Sequence, residues 1–201
     1  PVSMTDSLTR TLKKFGDEKL INKFFEQLTS QDIDELFQGA MFMTEQHAGS
    51  DVGSIDTIAE NIDGQWYLSG DKWFCSNPDA DLAMVLARYD KKTKGTRGLS
   101  LFLLPKKLEN GQPNDYEIIR LKDKLGGRSF ASGEIRLNKA FAYIVGEKTD
   151  GFKQMTDMIN MSRLSNGVRA SGMMQRCFQE SLFIAKTRSA FNEKLINLPL
   201  I

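Results

Sequence analysis

Histidine is almost missing from this chain of 201 residues, which holds one imidazole, at His47. Catalytic triads that rely on histidine and metal sites built from several histidines are therefore nearly excluded, and no metal ligand set is predicted. Long apolar runs are missing as well. No stretch of the sequence approaches the ~20 apolar residues that a membrane-spanning helix needs.

The chain also has only two cysteines and almost no net charge. Cys75 and Cys177 lie far apart in the sequence and show no metal-type spacing. This usage fits a reducing compartment, the cytoplasm or alternatively the mitochondrial matrix, better than a disulfide framework. Lys and Arg number 27 against 26 Asp and Glu, a net charge of +1. That balance offers no electrostatic argument for nucleic acid or an anionic membrane as a partner.

The apolar residues that are present change their period twice along the chain. Residues 1–38 contain two helical stripes, around Leu8 to Phe15 and Leu20 to Leu28. From residue 39 to 148 the period is two, and Asp63-Gly64 is the strongest hairpin signal. We predict strands over 40–44, 57–62, 66–69, 72–76, 82–89, 99–104, 116–121 and 133–143.

The period becomes helical again over 149–201. One helix is predicted from about Phe152 to Ala190, which at ~1.5 Å per residue is roughly 55–60 Å long. Its apolar positions need partner helices from another domain or subunit. The fold class is α+β, an antiparallel β barrel or sandwich flanked by an N-terminal helical segment and a long C-terminal helix. Because the chain starts at Pro1 and stops in the apolar run 195–201, we interpret it as a piece of a longer protein.

Two segments carry candidate chemistry, and the first is 42–54. Thr44 and Glu45 lead into Ala48, Gly49 and Ser50, a loop small enough for backbone N–H groups to approach a phosphate. An ordinary strand-to-loop junction is the alternative interpretation.

The second segment is 72–77. Strand alternation predicts that Trp73 and Cys75 face one way and Phe74 and Ser76 the other. A ring beside a hydroxyl group suits a flat heteroaromatic ligand, although both residues could equally be ordinary sandwich residues.

Taken together, in this order and between helical regions, the two segments resemble the acyl-CoA dehydrogenase flavoproteins. The family's first signature is satisfied from Met43 to Asp51, with Phe42 where a small residue is usual. Further matching stretches are Lys124 to Ser129, Ser162 to Leu164 and Ala185 to Phe191. Within the family, Pro1 to Thr5, Lys72 to Ser76 and Leu121 to Gly126 look most like the alkylation-response branch.

The resemblance implies FAD as the cofactor and assigns roles by position. The Met43 backbone and Thr44 hydroxyl would meet the flavin pyrimidine edge, and Gly49 and Ser50 the pyrophosphate. Phe74 would lie against the isoalloxazine, and Ser76 would hydrogen-bond near N5. Arg188 and Phe191 would reach the FAD of a neighbouring subunit, which implies a homodimer or homotetramer. Ser50, Arg128 and Arg163 would contact the acyl-CoA substrate, with a loop carboxylate as the alternative partner of Arg128.

The implied reaction is α,β-dehydrogenation of an acyl-CoA thioester with hydride transfer to flavin N5, and a second flavoprotein would accept the electrons. Most of the family carries the catalytic base beyond the point where this chain ends. A minority places it at the position of Ser162, which cannot serve at neutral pH. Glu45 is expected to fix its loop rather than act as a base. The alternative is an alkylation-response flavoprotein acting mainly by DNA or acyl-CoA binding, and a third possibility is a fragment that binds little FAD.

Overall fold

Two amphipathic helices, α1 (Val2–Phe15) and α2 (Glu18–Thr29), open the computed structural model, which describes residues 2–199. Asp17 caps α2, and its side chain accepts a hydrogen bond from the Leu20 N–H at 2.7 Å. This bond satisfies one of the donors that a helix start leaves open. The apolar side chains that the two helices bury are Met4, Leu8, Leu12, Leu20, Phe24 and Leu28.

Seven strands follow and close a barrel. They are β1 (Gly39–Phe42), β2 (Ile58–Ile62), β3 (Gln65–Ser76), β4 (Leu82–Arg88), β5 (Leu99–Pro105), β6 (Tyr116–Leu121) and β7 (Ser132–Val145). The pairings β3–β2–β4–β5–β7 return to β3, while β1 pairs with β3 and β4, and β6 pairs with β7. Closure protects the sheet edges of the five ring strands. The Asp63-Gly64 hairpin is confirmed, with φ of 51° and 85° at the turn.

β4 and β5 are buried on both faces, which is why they read as nearly continuous apolar runs. Met84 and Leu86 join the core that contains the buried faces of α1 and α2. Val85 and Ala87, which alternate with them, belong to a second core together with Phe102. The helices therefore cover one face of the strands, and the second core fills the other.

The antiparallel expectation holds for most strand pairings but fails at two, because β1 and β2 both pair with β4 in parallel. β1 runs parallel to β4, with Gly39 opposite Leu82 and Phe42 opposite Val85. Parallel neighbours need a long connection, and two strands and a loop intervene between β1 and β4. β1 also touches β3, where Met41 lies opposite Ser76. This placement brings the end of β1 beside the end of β3.

The separate strands predicted over 66–69 and 72–76 form one strand, β3. Gly70 has a φ of +145°, and a Cβ atom there would lie 2.8 Å from the Thr57 Cα. Glycine therefore marks a close approach of two backbones rather than a turn.

The described residues divide into two compact units, which split between residues 161 and 162. Helix α3 (Gly151–Thr187) begins in the first unit, where Met155 and Met158 are buried in its core. The predicted partner helices are thus not needed for these two methionines. No helix within residues 2–199 has the length and apolar character to cross a membrane.

The second unit continues α3 and ends in a small hairpin of β8 (Ser189–Ala190) and β9 (Glu193–Lys194). The helix predicted to reach residue 190 ends three residues earlier. Phe191 and Asn192 adopt left-handed backbone conformations, with φ of 55° and 64°, and reverse the chain. Apolar side chains of α3 exposed within this unit include Leu164, Val168, Met173, Phe178 and Phe183. The domain predictions begin at residue 1 and end at residue 201, and those outermost residues lie outside the described range.

Candidate cofactor-binding site

The segment after β1 lies against β3. The Trp73 N–H donates a hydrogen bond to the Thr44 carbonyl at 2.8 Å, two residues beyond the end of β1. With Met41 opposite Ser76, this bond sets Thr44 beside the strand that carries Phe74. The structure thus brings together the two segments that were singled out in the sequence.

A buried ion pair fixes this arrangement. The Lys72 ammonium contacts Glu45 Oε1 at 2.8 Å, and both side chains are almost fully buried. Lys72 Nζ also donates to the carbonyls of Leu86 at 2.8 Å and Met43 at 3.3 Å. One cation thereby ties together β3, β4 and the segment after β1, and each of its donors finds an oxygen.

Glu45 fixes the loop that follows it, as predicted. Its Oε1 accepts from the Thr57 hydroxyl at 2.5 Å and the Thr57 N–H at 3.1 Å, and its Oε2 accepts from the Asp56 N–H at 2.6 Å. Burial raises the pKa of Glu45, but the Lys72 charge and these hydrogen bonds outweigh it and hold that pKa below its usual range. Burial lowers the pKa of Lys72, and the Glu45 charge opposes that effect. A carboxylate so firmly held as an anion with its oxygens occupied is a structural group.

The small loop at Gly49 and Ser50 presents backbone N–H groups that could bind a ligand. Within residues 2–199, no group accepts a hydrogen bond from the backbone N–H of either residue. A Cβ atom at Gly49 would meet only the Thr44 Cγ2 atom, at 3.9 Å. Packing inside the chain therefore does not require glycine at this position. A ligand that approaches the backbone closely would require it, and phosphate is such a ligand.

Phe74 is exposed, but regular alternation along β3 fails between Lys72 and Cys75. Lys72 lies opposite Ile135 and Cys75 opposite Gly133, so three steps along β3 match two along β7. Lys72 and Cys75 are consequently both buried, although residues three positions apart in a regular strand face opposite sides. A β-bulge of this kind redirects side chains. It leaves Phe74 with 54% of its surface exposed.

The hydroxyl groups of Thr44, Ser50 and Ser76 make no hydrogen bond to any part of the chain that the structure describes. Cys75, between Phe74 and Ser76, is buried as expected, and burial raises the pKa of its thiol to about 12. The site therefore offers hydroxyl groups, backbone N–H groups and one exposed ring, without a reactive thiol.

The remaining predicted residues are Arg128 in the first unit and three residues in the second. Arg128 lies on an exposed loop, where its Nε donates to the Lys124 carbonyl at 2.7 Å and a terminal nitrogen lies 3.5 Å from Asp123. The alternative prediction, that Arg128 binds a loop carboxylate, therefore has a candidate partner in Asp123. Arg163, Arg188 and Phe191 belong to the second unit.

Lys72 and Lys122 are two residues that the sequence reasoning passed over. A signal existed for Lys72, because it lies four residues after the buried Leu68 and therefore on the same face of β3. A lysine at a core-facing position indicates a buried ionic partner. Lys122 Nζ lies 3.5 Å from the Trp73 ring centroid. No pattern in the sequence predicts this contact, because it depends on the bulge in β3.

A groove of about 740 Å³ opens elsewhere on the first unit, beside the start of α2 and the end of β7. Tyr67, Phe141 and Tyr143 pack edge to face along it. None of the predicted site residues lines it, so size alone does not mark the candidate site.

Comparison with known proteins agrees with the barrel and its flanking helices. The chain belongs to the acyl-CoA dehydrogenase family, because residues 40–140 match the model of the acyl-CoA dehydrogenase middle domain and residues 149–201 that of the C-terminal domain.

Among its relatives is acyl-CoA dehydrogenase family member 11 of Caenorhabditis elegans, which is 36% identical over the whole chain. The putative acyl-CoA dehydrogenase AidB of Escherichia coli (strain K12) is 40% identical over 80% of the chain and 29% of that protein. The crystal structure of C. elegans ACDH-11 in complex with C11-CoA covers all of the chain with a TM-score of 0.88. The chain spans about a third of these relatives, 34% of the first and 35% of the crystallised protein.

Proposed function

We propose that the chain forms an FAD-binding part of an acyl-CoA dehydrogenase, with a middle domain over 39–148 between helical parts. The observation that carries the proposal is the exposed Phe74 ring on the part of β3 that contacts Thr44 and carries Ser76. Within residues 2–199 the hydroxyl groups of Thr44 and Ser76 make no hydrogen bond. The loop after Glu45 adds the backbone N–H groups of Gly49 and Ser50, which no group in the described part of the chain accepts. A flat ring system joined to phosphates matches this combination.

The chain's own residues would bind and orient the cofactor. Thr44 and the Met43 backbone would hydrogen-bond the pyrimidine edge, and Gly49 and Ser50 the pyrophosphate. Phe74 would stack on the isoalloxazine, and the Ser76 hydroxyl would bond near N5. Bound FAD supplies the hydride acceptor for the reaction.

The proposed substrate is an acyl-CoA thioester, with Ser50, Arg128 and Arg163 as its contacts. A structure of one relative is described as a complex with C11-CoA, and its similarity over the whole chain supports this class of ligand. The proposed reaction is α,β-dehydrogenation. Glu45, held as an anion by Lys72, does not supply the base, and we propose that the base lies outside this chain.

A homo-oligomer is part of the proposal, with Arg188 and Phe191 reaching the FAD of a neighbour. Phe191 has 90% of its surface exposed and a left-handed backbone at φ 55°. A left-handed conformation costs a non-glycine residue roughly 1–2 kcal/mol. The two-residue turn between β8 and β9 accounts for this backbone conformation. It is the exposed Phe191 ring that favours a contact with another molecule.

The resemblance to the alkylation-response branch implies a second candidate, a flavoprotein acting mainly by DNA or acyl-CoA binding with little dehydrogenation. Similarity to the putative acyl-CoA dehydrogenase AidB fits this candidate equally well.

Anaerobic addition of acyl-CoA thioesters of several chain lengths to the FAD-loaded protein that contains this chain separates the two candidates. Dehydrogenation predicts bleaching of the flavin absorbance by at least one thioester. A salt-dependent shift of duplex DNA without bleaching by any thioester would support the second candidate and refute the first.

A further inference from the structure

The bulge in β3 creates an aromatic pair around one lysine. Because Trp73 and Phe74 fall between the two shifted register pairs, the ammonium of Lys122 contacts both rings. Its Nζ atom lies 3.5 Å from the Trp73 ring centroid and 4.3 Å from that of Phe74. Both distances are within the range of attractive cation–π contacts.

Glu134 holds this lysine in place. Its Oε1 accepts from Lys122 Nζ at 2.8 Å, and its Oε2 accepts from Arg120 Nε at 2.9 Å. The side chain of Lys122 is only 11% exposed and that of Glu134 only 8%. Hydrogen bonds from Arg120 and then Lys122 lower the pKa of the Glu134 carboxyl.

The charges in this cluster do not cancel. Arg120, whose guanidinium lies 5.8 Å from the Trp73 ring centroid, and Lys122 share one carboxylate. One positive charge is therefore left over against the two aromatic rings. Lys124 does not add to it at the rings, since its ammonium bonds the Phe130 carbonyl and the Ser132 hydroxyl.

We propose that Lys122 is a positioning residue of the candidate flavin site, fixing Phe74 and placing a positive charge behind that ring. The inference rests on the proposed FAD site, since its consequence depends on Phe74 stacking against the isoalloxazine. Two-electron reduction makes the flavin more negative at neutral pH. A nearby fixed cation stabilises the reduced form more than the oxidised form and so raises the midpoint potential.

The test compares three variants of the FAD-loaded protein. Lys122→Met keeps a long apolar side chain against the rings but removes the charge, and Lys122→Arg keeps the charge. Glu134→Gln removes the compensating anion and leaves both cations. Two quantities are measured: FAD affinity from the change in flavin fluorescence, and the two-electron midpoint potential by equilibration with a reference dye.

We expect Lys122→Met to raise the FAD dissociation constant by about fivefold, a loss typical of a cation–π contact. Its potential moves to a more negative value, that of Glu134→Gln to a more positive value, and Lys122→Arg stays near the wild type in both measurements. An unchanged potential in Lys122→Met, with or without weaker FAD binding, would overturn the inference while leaving the FAD site intact. Failure of the wild type to take up FAD would overturn the proposed function, and this inference with it.

Discussion

Lys72 is the residue whose burial explains most of the local geometry. Its ammonium is fully enclosed, contacts Glu45 at 2.8 Å and bonds backbone carbonyls on two other segments. Moving such a cation from water into the protein interior costs free energy. Its partners offset that cost, because Glu45 balances its charge and three oxygen atoms accept its hydrogen bonds. The ends of β1 and β3 are thereby held at fixed separation.

Removing one partner of this pair is expected to be more harmful than removing both. Lys72→Met leaves the Glu45 anion buried without its cation and should lower the free energy of unfolding by about 3–5 kcal/mol. The double variant Glu45→Gln, Lys72→Met should recover part of that loss. Urea unfolding of the four proteins in a double-mutant cycle measures the coupling. Additivity within about 0.5 kcal/mol would show that the pair does not act as a unit.

Acid should weaken the fold partly through Glu45. Since the folded pKa of this residue lies below its ordinary value of 4.5, its stabilising effect is complete above that value. The effect is lost as the pH falls through the lower, folded pKa. The stability difference between wild type and Glu45→Gln should therefore be constant above pH 4.5 and shrink as the pH falls below that value in urea unfolding experiments. A difference that is constant or grows towards acid would contradict this assignment.

At the scale of the element, β3 controls how the site is presented. Its bulge puts Trp73 and Phe74 on Lys122 and leaves both Lys72 and Cys75 inside. Upstream, Gly70 lets the same strand pass Thr57 without a break. One continuous strand with two local irregularities thus replaces the two regular strands that the pattern predicted.

Gly70→Ala tests the close approach. The new Cβ atom would lie 2.8 Å from the Thr57 Cα at a φ of +145°, so we expect a loss of roughly 2–4 kcal/mol of stability. Gly64→Ala is the matched control, because it has a φ of +85° but open space around its Cβ position. That change should cost only the backbone strain, roughly 1 kcal/mol. Thermal unfolding of both variants measures the difference, and equal losses would refute the steric argument.

At the scale of the whole molecule, period alone predicted the order of helices and strands and the Asp63-Gly64 hairpin. It could not predict the parallel pairing of β1 with β4, which depends on where distant segments pack. The bulge between Lys72 and Cys75 was missed for a related reason. A one-residue bulge inverts the alternation beyond it, and it is visible only once the register of β3 against β7 is known.

The candidate site was predicted in a different way. The segments around Thr44 and Phe74 carry only modest signals by themselves, and the family resemblance named them. Their proximity in the structure is a finding, through the Trp73 N–H bond to the Thr44 carbonyl and the pairing of Met41 with Ser76. Their roles towards FAD remain our proposal.

Equilibrium titration of FAD into the purified chain, followed by flavin fluorescence, tests the central claim most directly. Saturable binding is predicted for the wild type and for Gly172→Ala, which adds a methyl group in open space on α3. Gly49→Ala should unfold at the same temperature as the wild type but bind FAD about tenfold more weakly, because its methyl group meets the pyrophosphate rather than the protein. No saturable binding by the wild type, or equal affinity for Gly49→Ala, would contradict the account.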